Sequence, residues 1–179
     1  MMRPLAPAAA AAEHSPKRHL PFVTALFAVV VDVLPLPSAA PTAVAPLFTV
    51  CVLFYWTLFE PALMSPLRTF LVGLLFDLFS GLPPGHSATA FLGPRLLLAP
   101  SQPSLRAQPF AVIWVCFAFA AALVELLRWT LSVAWWGTLF SPTPVLDELL
   151  LTIAVYPAIS YLLSRVRARL PRPRYGDRV

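Results

Sequence analysis

The sequence predicts an all-α, polytopic membrane protein with about six transmembrane helices, and three observations predict it. Hydrophobic residues make up 59% of the 179 residues, and the mean hydropathy is +0.76. Charged residues are only 12%, about half the share with which a soluble domain covers itself in water. The apolar residues fall into six stretches, which at roughly 20 residues per span use about 120 residues and leave two tails and short turns. Such apolar content excludes a disordered chain. No segment is left over in which a soluble catalytic domain would fold.

Residues 1–19 carry His14, Lys17, Arg18 and His19 and read as a disordered, basic, cytoplasmic N-terminal tail. Lys17 and Arg18 before an apolar stretch that ends in Pro37-Ser38-Ala39-Ala40 have the outline of a signal peptide. Asp32 inside that stretch, Pro41 after the would-be cut and further apolar segments downstream favour a retained helix instead. The first span is Leu20–Leu36, closed by Pro35 and Pro37 because proline cannot continue a helical hydrogen-bond ladder. Ala43–Phe59 is the second and ends at Glu60-Pro61. The third, Leu67–Leu82, is entered through Ser65-Pro66 and left at Pro83-Pro84; the fourth, His86–Ala99, is interrupted by Gly93-Pro94-Arg95. These two are short and joined by a Pro-Pro-Gly turn, so they form a hairpin that either crosses or is re-entrant. The fifth, Phe110–Trp136, is longer than a bilayer requires, hence tilted or interfacial at Trp135-Trp136. The sixth, Val145–Leu163, contains Pro157, which frees a carbonyl for a cross-helix contact. Residues 20–164 thus form the transmembrane domain and 165–179 an Arg/Pro-rich cytoplasmic tail, kept extended by Pro171 and Pro173.

Orientation follows from the basic residues, which stay on the cytoplasmic side. With the amino terminus inside and six crossings, every Lys and Arg except Arg128 falls to the inner side. Both termini are then cytoplasmic. A re-entrant third and fourth pair leaves that distribution unchanged, so only the even parity of crossings is fixed.

Polar residues inside apolar helices must face a partner or water. Gly73, Asp77, Ser80 and Gly81 share one face of the third segment, where small residues let another backbone approach. Arg95 of the fourth segment is the candidate ion-pair partner of Asp77. Glu125 and Arg128, three apart, form a second candidate pair on their own helix. Glu148, Thr152, Tyr156 and Ser160 step along one side of the sixth segment as a polar packing stripe. Asp32 completes a set of intramembrane acids too scattered to define a proton pathway. Arg165, Arg167, Arg169, Arg172 and Arg174 follow the last span directly and read as contacts to anionic lipids or a cytoplasmic partner, not to nucleic acid. His86 and Ser87 are adjacent, point apart on a helix and make no catalytic pair. No hydrolase, zincin, dinucleotide or P-loop motif is present. Cys51 and Cys116 lack neighbouring ligands and read as small hydrophobes; no metal or cofactor is expected.

Phe70 to Ala88 reads Phe-Leu-Val-Gly-Leu-Leu-Phe-Asp-Leu-Phe-Ser-Gly-Leu-Pro-Pro-Gly-His-Ser-Ala. This resembles the signature of the rod shape-determining protein MreD family, Gly-Leu-x-x-Asp-x-x-Ser-Gly followed by a Pro/Leu-Gly turn, carried here by Gly73, Asp77, Ser80, Gly81 and Gly85. Tyr156-Pro157 and the arginines behind it are similar too, while the chain after Pro171 has no family pattern. The resemblance implies a non-enzymatic scaffold in the bacterial inner membrane, part of the elongation complex for lateral peptidoglycan synthesis. Its implied partners are an MreC-like single-span protein, an MreB-like filament, a RodA-type polymerase and a class B penicillin-binding protein. The implied fold is similar to the substrate-binding component of energy-coupling-factor transporters. The alternative is a substrate-binding membrane subunit of a vitamin transporter, with a cavity lined by Asp32, Glu125 or Trp129; a proton-coupled carrier using Asp77 is a weaker rival.

Overall fold

A computed structural model describes residues 19–34 and 44–168. Those residues are helical throughout, joined by turns: α1 (Leu20–Val33), α2 (Phe48–Phe59), α3 (Pro66–Ser80), α4 (His86–Leu98), a 3₁₀ turn (Ala99–Ser101), α5 (Gln102–Arg106), α6 (Phe110–Trp136) and α7 (Thr143–Arg167). The tail up to residue 18 and the arginines Arg169, Arg172 and Arg174 lie outside the described residues.

Each helix starts or stops where local chemistry requires it. Pro66 opens α3 from the Ser65 cap, whose Oγ accepts the Arg68 N–H. At the other end Gly81 adopts φ +68°, and the Leu82 N–H returns to the Asp77 carbonyl at 2.9 Å. Pro157 does not break α7. It removes the donor for the Ile153 carbonyl, and the Trp114 indole of α6 supplies the replacement at 2.9 Å.

α2 lies at the centre. Every residue from Thr49 to Leu58 is buried, as befits a helix that is apolar all round. In an arc around it α1 packs on α3, α3 on α4, α4 on α6 and α6 on α7, and both α1 and α7 also touch α2. Phe54 of α2, Phe117 of α6 and Tyr156 of α7 form the aromatic centre, with Tyr156 stacked on Phe117 at 3.9 Å. The outer faces are apolar and exposed, among them Phe27, Leu78, Phe119 and Leu150. In water this surface would be an aggregation hazard; in lipid it is the ordinary exterior.

The helices are unequal. α6 and α7, with 27 and 25 residues, are long and apolar enough to cross a membrane. α1 to α4 have 12 to 15 residues, shorter than the sequence-based spans. At 1.5 Å per residue they reach about 18–23 Å, against a hydrocarbon core of ~30 Å. The sixth span also runs further than expected, so Arg165 and Arg167 belong to the last turn of α7 and not to an extended tail.

Candidate functional site

The two ends of the bundle differ in chemistry. At one end, where α1, α3 and α6 finish and α2, α4 and α7 begin, acidic side chains build a polar collar that ties the helices together.

Asp77 is its most deeply set member, with none of its surface exposed. Its Oδ1 accepts from the Ser87 N–H at 2.7 Å, and its Oδ2 from Gly85 at 3.0 Å and Ala88 at 3.4 Å. Helix α4 has no capping side chain of its own, and Gly85 precedes it at φ +96°. The carboxylate of α3 therefore caps α4 across the hairpin, where the N-terminal N–H groups and the helix dipole favour an anion. Gly73, one turn back on α3, makes the approach possible. A Cβ at that position would sit 2.4 Å from the Ala88 Cα and 2.8 Å from its N. Gly73→Ala should push the two helices apart and cost about 1–3 kcal/mol or more, read as a lowered unfolding midpoint in detergent; an unchanged midpoint would contradict this packing.

Asp32 repeats the arrangement. From the end of α1 its Oδ1 and Oδ2 accept the Phe48 and Thr49 N–H groups at 2.9 and 2.8 Å, capping α2, which also lacks a capping side chain. Leu47, just before α2, donates its N–H to Thr152 Oγ1 of α7 at 2.8 Å. Thr152 in turn donates to the Glu148 carbonyl.

Arg128 joins three helices. Its Nη1 lies 3.2 and 3.3 Å from the two oxygens of Glu125 on α6, and 3.4 Å from Glu148 of α7. Its guanidinium carbon stands 5.6 Å from the centre of the Phe76 ring of α3. His86 Nε2, at the start of α4, meets Ser132 Oγ of α6 at 2.9 Å, while its buried Nδ1 has no partner among the described residues. An open cavity of about 300 Å³ reaches into the collar between Asp32, Phe76, Ser80, Leu82, Arg128 and Glu148.

The expected pair of Asp77 with Arg95 is not formed. In an antiparallel hairpin Asp77 stands level with the start of α4, whereas Arg95 lies ten residues beyond Gly85, about 15 Å along the helix. Arg95 instead donates to Thr57 Oγ1 of α2 at 3.2 Å, near the opposite end. Of the remaining sequence-derived residues, Ser80 lines the collar cavity and Gly81 and Gly85 shape the turn below Asp77. Glu148 leaves the polar stripe to join Arg128. Tyr156 is fully buried in the aromatic centre, and Ser160 Oγ satisfies itself on the Pro157 carbonyl at 2.9 Å. The sequence reading missed the capping role of Asp32 and the Arg128–Glu148 bridge. An available signal was that the residues directly before α2 and α4, Leu47 and Gly85, have no side chain that can cap, so their caps had to come from elsewhere.

At the other end arginines gather at the C-terminus of α2, the negative end of its dipole, and at the turn that follows it. Arg106 Nε donates to the Leu58 carbonyl, and Arg68 reaches the Leu63 carbonyl. Arg167 Nε lies 2.8 Å from Glu60, with its guanidinium over the Phe59 ring. Arg165 covers the Tyr161 ring.

An all-helical bundle with an apolar exterior, two helices of membrane-spanning length and charges confined to its interior and ends defines a helical membrane protein. Residues 17–166 match the family described as rod shape-determining protein MreD, so the chain belongs to that family, whose role is in cell shape. Neither a curated protein nor a solved structure matches it.

Proposed function

We propose that this chain is a non-enzymatic inner-membrane scaffold of the cell-elongation complex. It links an MreC-like single-span protein and an MreB-like filament to a RodA-type polymerase and a class B penicillin-binding protein. The family match over residues 17–166 carries this reading. The geometry supports it: the motif residues Gly73 and Asp77 are spent on holding a hairpin together, and the apolar outer faces remain for neighbouring helices. The likeness of fold to energy-coupling-factor substrate-binding components stays part of this proposal, and the vitamin-transporter alternative gains nothing from the family match. The placement of Arg68, Arg106, Arg165 and Arg167 at one end supports an orientation with that end, and both termini, in the cytoplasm. All six principal helices would then cross, the four short ones in a locally thinned bilayer.

Depletion of the protein in a rod-shaped host should round the cells, and capture in mild detergent should recover an MreC-like partner. Cells that keep their shape, with no such partner recovered, would overturn the proposal.

A further inference from the structure

At the arginine end a groove of about 480 Å³ runs between α2, α6 and α7. Phe59, Phe110, Ile113 and Pro157 supply its apolar walls together with the rings of Tyr55 and Tyr156, the Tyr156 hydroxyl having no partner among the described residues, and Arg167 stands at its mouth. Along one wall the rings of Phe110 and Tyr156 stack 6.3 Å apart. Ser160 and Ser164 also line it, but each hydroxyl donates to a carbonyl of its own helix, so neither demands a polar ligand along the groove. At the mouth the charge is positive. Arg167 gives its Nε to Glu60 and, like every guanidinium, carries four further N–H donors. Arg165 lies over the ring of Tyr161, one turn back, which also lines the groove, and Glu60 is the acid bound to Arg167.

We infer that this groove holds one anionic phospholipid, its alkyl chain between Phe59, Ile113 and Pro157 and its phosphate against Arg167 and Arg165. The volume decides against a partner helix. A helix about 10 Å across displaces on the order of 400 Å³ per turn, so the groove would seat barely one turn, whereas an alkyl chain without side chains is about half as wide and fits along it. The charge decides against a zwitterionic lipid, because two cations, Arg165 and Arg167, stand at this end against the single acid Glu60, and the excess positive charge at a membrane surface favours a net negative headgroup. The site differs from loose attraction of the arginine tail to the leaflet in that it has walls. The inference stands apart from the proposed scaffold role and rests on the groove alone.

The test is reconstitution of the full chain in vesicles of equal parts dioleoylphosphatidylglycerol and dioleoylphosphatidylcholine, extraction at high salt, and native mass spectrometry of the lipid that stays bound. High salt strips lipid held by the tail alone. One phosphatidylglycerol should remain per chain in preference to phosphatidylcholine. Ser164→Trp, at an exposed position, fills the mouth while keeping every charge, and should lower retention about tenfold. Arg167→Gln should abolish the preference between the two lipids. Equal retention by Ser164→Trp and the parent chain, equal retention of both lipids by the parent chain, or a bound polypeptide in place of lipid would each overturn the inference.

Discussion

Asp77→Ala is expected to lower the stability of the folded chain by about 3–5 kcal/mol, among the largest effects available to a single substitution. The reason is the number of groups that depend on one carboxylate. Gly85, Ser87 and Ala88 each donate to it, and Ser87 and Ala88 are fully buried, so water cannot take over. Asp77→Asn keeps one acceptor oxygen, turns an amide donor toward N–H groups and should lose roughly half as much. Unfolding in mild detergent measures both. Arg95→Met should add to either change independently, because Arg95 meets Thr57 at the far end of α4. Strong coupling between positions 77 and 95 would restore the ion pair that the structure lacks.

The second large effect belongs to Arg128. Replacing it by Met leaves Glu125 and Glu148 facing each other with no cation between them. Breaking a buried ion pair from one side costs about 3–5 kcal/mol, and here two carboxylates lose their partner together. Removing those charges as well, in Glu125→Gln and Glu148→Gln combined with Arg128→Met, should recover much of the loss. Arg128→Lys should rescue only in part, since one ammonium cannot span two carboxylates and lie over Phe76 as a planar guanidinium does. If the triple variant were no better than Arg128→Met, the collar would not be the source of the stability.

The helices were legible in the sequence and the contacts between them only partly so. Proline and glycine mark several helix ends, at Pro35, Pro61, Pro66, Pro83 and Gly137, and in a bilayer apolar stretches of about 20 residues form helices. Gly73 and Asp77 were legible as one face because the helical period alone puts them there. Their partner was not. Opposite charge suggested Arg95, but register within a hairpin is set by its turn, and Gly81 and Gly85 place the start of α4, not its middle, beside Asp77. Backbone N–H groups leave no mark in a sequence, so a carboxylate that caps another helix reads as an orphan acid. Asp32 was misjudged for the same reason. Arg128 was paired with Glu125 by spacing, while Glu148, twenty residues on, came within reach only through the α6–α7 turn.

Site-resolved amide exchange tests the account most directly. Replacing Asp77 by Ala should accelerate exchange at Ser87 and Ala88 well beyond the change at Phe48 and Thr49, which Asp32 still caps. Undisturbed protection at Ser87 and Ala88 in that variant would show that something other than the Asp77 carboxylate fastens α4 to α3.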